Sequence, residues 1–283
     1  MPQNIHIFET RAVNFLKPYM DKATSLGFNV TLSNNVQLEG NKLFKEFKDA
    51  YVHYSTNPPE FEIACFARYF AIASMVTDDE PFLLTDTDIY ITKAFKDVQA
   101  YAFNGAFVGS EGFDANGSVG QISPHCTFWD RALLMNFIQF TLTIYKTEPE
   151  TSFLKNYYEA ESLKYPGFCI SDMNLIYLWI QANKVPYINS NSTKFPLGID
   201  HNLSTLLCED DEFKHFAGRK YLQIQGDKIT CYLKSGKTQD MALLHFQGSY
   251  KPVLARFYMG RYAKFIYFSL RNNYRMSRKI FSK

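Results

Sequence analysis

Asp86 and Asp88 stand two residues apart in the run Phe82-Leu83-Leu84-Thr85-Asp86-Thr87-Asp88-Ile89-Tyr90-Ile91-Thr92, with apolar, strand-like residues on either side. Side chains at i and i+2 of a strand share a face, so the two carboxylates are expected to converge while Thr87 turns aside. Paired carboxylates suit a hard divalent cation, magnesium or manganese, of the kind that also holds a substrate's phosphates. An acidic end to a buried strand is costly unless something offsets its charge. The spacing alone also fits a solvated acidic loop; the apolar flanks favour the buried site.

A second cluster, His245-Phe246-Gln247-Gly248-Ser249-Tyr250-Lys251-Pro252, follows the apolar run 241–244. A neutral imidazole can complete a metal site begun by two carboxylates. Gly248 permits close approach of the backbone to a phosphate, and Lys251 supplies a positive charge for one. A histidine before a turn is more often structural when it stands alone. The upstream aspartates make His245 a candidate ligand.

These residues need a scaffold that gathers distant strand ends. Segments 4–8, 28–32, 50–54 and 82–92 read as strands, and 15–26, 43–48 and 60–76 as helices, the first closed by Gly27. Strands alternating with helices predict an α/β fold with a mostly parallel, doubly wound central sheet. Such a sheet binds ligands at the carboxyl ends of its strands. Further on, 101–110 reads as a strand, 111–120 as a glycine-rich loop, 131–145 as a helix and 183–189 as a strand. Residues 146–170 read as a helix plus an irregular stretch. Another helix starts near Asp172, capped by Ser171, where the carboxylate serves either chemistry or the helix dipole. No internal repeat or linker interrupts the chain, which reads as one domain over 1–253 with a C-terminal basic, aromatic helix over 254–283.

Hydrophobic residues make up 46% of the 283, enough for a large core and too many for disorder. Aromatics reach 17%, which hints at apolar or sugar-stacking surfaces. The five cysteines are scattered with no CxxC pair, as expected of reduced thiols in a cytoplasmic protein rather than a zinc site or disulfide framework. The N-terminus is expected to lead straight into a strand without a signal peptide. Net charge is +2, yet residues 256–283 carry eight basic side chains and no acidic one, leaving −6 on the remainder.

With the pattern HFxGxxKP, the DxD run and the arginine-bearing helix before it, the chain resembles the GT-A glycosyltransferases. Within them it is most similar to glycosyltransferase family 8, which includes bacterial lipo-oligosaccharide galactosyltransferases and glycogenin. The resemblance runs from the first strand to Pro252 and is carried by three blocks. It implies a GT-A (Rossmann-like) fold and a divalent metal, usually Mn2+ (or Mg2+), held by Asp86, Asp88 and His245. It implies a nucleotide-sugar site built from Phe8, Glu9, Thr10, Arg68, Thr87, Gly248 and Lys251, with the base at Phe8-Glu9-Thr10 and the diphosphate at Gly248 and Lys251. The family's acidic motif is represented by Asp172-Met173-Asn174-Leu175, which makes Asp172 the catalytic candidate. The chain departs from the family where Met173 replaces a glutamine and where Val253 replaces a tryptophan.

The implied activity is transfer of a sugar from a nucleotide-sugar donor, first a UDP-sugar, to a glycan or glycolipid acceptor in surface glycan synthesis, retaining rather than inverting. Within 121–129, His125 and Trp129 are candidates to bind the acceptor, against the competing assignment of Trp129 to the core and His125 to a loop. Residues 255–283 combine aromatic and basic faces at helical spacing, which predicts a peripheral contact with anionic lipid at the inner face of a membrane. Nucleic acid is the competing partner and is not expected, because no nucleic-acid module accompanies the segment. Two other readings share the aspartate pair: a DxD phosphohydrolase, and a non-catalytic sugar-binding relative. The first usually wants Thr or Val where this chain has Tyr90.

Overall fold

The computed structural model describes residues 3–101, 106–165, 167–216 and 218–260. Of the segment expected to meet a membrane, residues 261–283 lie outside the described residues.

In chain order the elements are β1 (Gln3–Phe8), α1 (Leu16–Ser25), β2 (Phe28–Ser33), α2 (Lys42–Ala50), α3 (Pro59–Ala73), β3 (Phe82–Thr85) and β4 (Ile89–Ile91). Then follow β5 (Phe107–Asp114), β6 (Gly117–Trp129), α4 (Arg131–Lys146), α5 (Glu150–Lys164), α6 (Asp172–Asn183) and β7 (Tyr187–Asn189). The last part holds β8 (Gly198–Ile199), β9 (His215–Phe216), β10 (Arg219–Lys220), β11 (Leu222–Gln225), β12 (Lys228–Tyr232), β13 (Thr238–His245) and α7 (Lys251–Tyr258).

The central sheet has the order β2-β1-β3-β6-β5-β7. β1 pairs in parallel with β2 and β3, and β5 with β7, while β6 runs against both β3 and β5. The expected α/β class with a mostly parallel sheet therefore holds, with β6 as the reversed strand. A second sheet, β11-β12-β13-β4, stands beside it.

Strand alternation explains why the central strands read as continuous apolar runs. Phe82 and Leu84 of β3, Phe107 of β5 and Trp129 of β6 enter one core with Phe47, Phe66, Phe70, Phe137 and Trp179 from the helices. Their neighbours Leu83, Val108 and Phe128 point the other way, into a core with Ile5, Ile7, Tyr19 and Phe95. Both faces are covered, as expected of strands that read as nearly continuous apolar runs. A third core, with Tyr90, Phe213, Leu244, Phe246, Leu254 and Phe257, lies under the second sheet and α7.

Local sequence sets the helix starts. The Asn41 side chain accepts the Phe44 N–H at 3.0 Å to open α2, and Asp130 accepts the Leu133 N–H at 2.7 Å to open α4. Asn174 reaches back to the Ser171 N–H at 3.1 Å, closing a capping arrangement at the start of α6. Gly27 follows α1 at φ +94°, a conformation that glycine adopts without steric cost.

Three expectations are corrected. Residues 51–54 form no strand, because α2 continues to Ala50 and the chain then crosses to α3. The stretch read as a loop at 111–120, with the polar segment after it, is instead the β5/β6 hairpin, turning at residues 115 and 116. The run 82–92 is two strands in different sheets: β3 pairs with β1 and β6, whereas β4 pairs antiparallel with β13. Asp86, Thr87 and Asp88 form the link between the sheets, and strand alternation is not what orients them.

Candidate active site

The carboxyl ends of β1 and β3 meet the end of β13 and the start of α6, and a cleft of about 470 Å³ opens there. Its walls include Phe8, Glu9, Thr10, Arg68, Asp86, Thr87, Asp88, Asp172, His245 and Lys251, all sites expected from sequence. Main-chain bonds hold the sheet-to-sheet link: the Asp86 N–H donates to the His125 carbonyl at 3.0 Å, and the Phe246 N–H donates to the Asp88 carbonyl at 2.8 Å. The two sheets thus present one aspartate each.

One potential ligand atom from each of Asp86, Asp88 and His245 lies within 4.8 Å of the others. His245 Nδ1 donates to the His201 carbonyl oxygen at 2.7 Å, so Nδ1 is engaged and Nε2 is the nitrogen left to face the aspartates. Its Nε2 is buried, has no hydrogen-bond partner and faces Asp88 Oδ1 at 3.6 Å. An imidazole nitrogen without a hydrogen-bond partner beside two carboxylates fits a divalent cation.

Cations of the protein flank this triad. Lys251 Nζ lies 2.8 Å from Asp88 Oδ2, and Arg68 Nη1 lies 2.5 Å from Asp86 Oδ1. Burial alone would raise the Asp88 carboxyl, but His245 and Lys251 outweigh it and hold the group well below the usual carboxylate range. Burial pulls the His245 imidazole down, and the nearby Asp88 carboxylate overcomes it, leaving the ring above its ordinary value.

Arg68 also joins the triad to Asp172, with Nε 3.8 Å from Asp172 Oδ2. The Tyr69 hydroxyl donates to the same oxygen at 2.9 Å. Burial raises the Asp172 carboxyl, and Arg68 and Tyr69 only partly offset it. On the other side, Glu9 accepts the Thr87 hydroxyl at 2.8 Å and forms a two-pronged pair with Arg11 at 2.8 and 2.9 Å. Glu9 thereby fixes the central residue of the DxD link. Gly248, at φ +61°, has open space where a side chain would begin, so the turn conformation is what requires glycine there.

Two expected acceptor residues are corrected. Trp129 is 1% exposed, stacks on Trp179 and donates its indole N–H to Thr127, so it belongs to the core and cannot meet a sugar. His125 is 0% exposed and lies beneath His245 with ring centroids 4.3 Å apart, where an acceptor cannot reach it. Arg11, Tyr69, Asp200, His201 and Lys220 were not singled out from sequence. His201 follows a two-residue strand, and no spacing pattern links it to His245.

No protein-family model matches the chain, and no curated protein sequence matches it. Among solved structures it is similar to a glycosyltransferase involved in glycosylating the major capsid of PBCV-1, at 11% identity and TM-score 0.40 over 92% of this chain and 99% of that one. It is also similar to mouse xyloside xylosyltransferase 1, at 10% identity and TM-score 0.38 over 66% and 71% of the two chains. A third is the glycosyltransferase GlyE of Streptococcus pneumoniae TIGR4, at 12% identity and TM-score 0.36 over 68% and 46%. At these scores the likeness is remote, and what the chain does must be read from its own residues.

Proposed function

We propose that this chain is a metal-dependent GT-A glycosyltransferase that moves a sugar from a nucleoside diphosphate donor to a glycan acceptor. The observation that carries the reading is the orphaned His245 Nε2 set between Asp86 and Asp88 at the carboxyl ends of the strands, with Lys251 and Arg68 beside it. A divalent cation bound by the three ligands would offset the negative charge that develops on the departing diphosphate.

The chain's own groups supply the rest. Lys251, with a partly exposed side chain, is placed to exchange Asp88 for a phosphate oxygen. Arg68 pairs with Asp86 and orients it. Glu9 and Thr87 shape the end of the cleft that would take the nucleoside, and uridine is the first base to test. Asp172 is occupied by Tyr69 and Arg68, which suits orienting a substrate better than taking a proton from an acceptor and supports a retaining course. With His125 and Trp129 buried, the acceptor is assigned to other residues on the wall of the cleft, among them Phe61, which is 53% exposed, Asn57, Gln121 and Met173. No helix among the described residues is long and apolar enough to cross a membrane, so attachment to an anionic lipid surface would fall to the basic residues 255–283.

Thermal denaturation with manganese and a panel of nucleoside diphosphate sugars tests the reading. A donor is expected to raise the melting temperature only when manganese is present, with slow donor hydrolysis. If no such sugar stabilises the protein or is turned over with manganese, the proposal fails. Deleting 261–283 is expected to weaken binding to anionic liposomes, and unchanged binding would remove the membrane assignment alone.

A further inference from the structure

Beneath His245, on the side away from the cleft, Lys220 and Asp200 form an ion pair in which both side chains are 0% exposed. The Lys220 ammonium donates to Asp200 Oδ1 and, at 3.1 Å, to the Asn202 carbonyl oxygen, and it lies 4.4 Å from the centre of the Phe213 ring. Asp200 Oδ2 accepts the main-chain N–H of His245 at 2.9 Å. The next carbonyl, that of His201, accepts Nδ1–H of the same histidine. The Leu203 N–H donates to the His245 carbonyl at 3.4 Å, and the Lys220 N–H donates to the Leu203 carbonyl at 3.0 Å. Residue 245 is therefore held at its N–H, its ring and its carbonyl by segment 200–203, and Lys220 holds that segment.

The close packing is built into the strands. β8 pairs with β13 through Gly198, where a Cβ would come within 2.9 Å of the Asp240 carbonyl oxygen. Any larger residue there would meet the β13 main chain, two residues before Asp200. A buried ion pair is a poor source of stability, since apolar pairs of similar volume often stabilise a fold as well or better. What this pair does supply is a fixed acceptor for the N–H of a candidate metal ligand.

We propose that Asp200 and Lys220 are positioning residues for His245: the pair fixes the main chain at residue 245 and so aims Nε2 at Asp86 and Asp88. The proposal rests on the reading of those three residues as a divalent metal site. Groups that orient a metal-bound histidine typically change metal affinity about 10- to 100-fold when removed.

The test is calorimetric titration of the full chain with manganese alone, with free manganese followed by electron paramagnetic resonance. Asp200→Leu combined with Lys220→Met removes both charges and the acceptor. It is expected to weaken manganese binding about 10- to 100-fold, as for other orienting groups, at a melting temperature near wild type. Asp200→Asn combined with Lys220→Met keeps an acceptor oxygen but loses the ammonium that holds the segment, and is expected to recover only part of the affinity. Wild-type affinity in the first double variant, or equal loss in both, overturns the proposal. If the Leu/Met variant does not fold, Asp200→Glu decides instead: it keeps the charge but displaces the acceptor, and unaltered manganese affinity there overturns the proposal. Failure of the wild-type chain to bind manganese would remove the metal site itself, an outcome distinct from variants that bind as the wild type does.

Discussion

Lys251 Nζ sits 2.8 Å from Asp88 Oδ2, on the same carboxylate that His245 faces from the other oxygen. On the proposed reading, a lysine so placed neutralises a metal ligand in the free protein and turns to a phosphate in the complex. Lys251→Met is expected to lower kcat/KM for the donor by about 10²- to 10³-fold, the range for losing one preorganised group at a developing negative charge. Manganese affinity without nucleotide is expected to stay equal or rise, because a competing cation is gone. Steady-state kinetics beside calorimetry separate the two effects, and unchanged donor kinetics would remove Lys251 from the diphosphate site.

The site also sets how metal-free stability depends on pH. The raised His245 imidazole stabilises the fold fully below its unfolded value, and that contribution disappears as pH rises through its folded value. The depressed Asp88 carboxyl stabilises above its unfolded value and loses that as pH falls toward its folded one. Metal-free melting temperature is thus expected to peak between about pH 4 and pH 6.5, the ordinary carboxylate and imidazole values. Manganese binding must displace any proton on His245, so affinity is expected to climb with pH through neutrality. Melting curves and titrations in buffers of different ionisation enthalpy read both trends, and a metal affinity flat from pH 5.5 to 8 would count against His245 as a ligand.

Asp172 separates stability from activity. Its buried carboxyl has a raised pKa, so ionisation at neutral pH works against the fold. Asp172→Asn is expected to leave the melting temperature at pH 7.5 near or above wild type while transfer to the acceptor falls at least tenfold, about 1.4 kcal/mol of transition-state stabilisation. A variant that melts early and transfers normally would make Asp172 a helix-start residue and nothing more.

Phe61 is exposed on the wall assigned to the acceptor, so removing its ring leaves the cores intact. Phe61→Ala is expected to raise the acceptor KM about 5- to 30-fold, the loss of roughly 1–2 kcal/mol of ring contact, with donor hydrolysis and melting temperature unchanged. Equal KM values for wild type and variant would place the acceptor elsewhere.

Asp86, Asp88 and His245 are legible in the sequence because each ends or follows an apolar run, and Arg68 and Lys251 are legible from their place in the blocks that carry the resemblance. The central sheet is legible for a related reason: Phe82, Leu83 and Leu84 alternate between two cores, which only a doubly covered strand permits. The break between Thr85 and Ile89 is not legible, since β4 is as apolar as β3 and only its pairing with β13 assigns it to another sheet. Trp129 misleads because an aromatic beside a polar loop and an aromatic at the end of a buried strand look alike in one dimension. Asp200 and Lys220 escape notice because a charged pair buried by tertiary contact has no local pattern at all.

The link that carries Asp86 and Asp88 joins an early sheet to a late one. β4 finds its partner only in β13, and more than half of the 283-residue chain separates Asp88 from His245. Contacts so distant in sequence form late, after the large entropy of closing the intervening chain has been overcome. During synthesis β1, β2, β3 and their helices emerge before β13, so Asp88 lacks its partners His245 and Lys251 until that strand and the segment after it have followed. An unfinished chain therefore carries Asp86 and Asp88 without His245 and Lys251, the two groups that close around the Asp88 carboxylate.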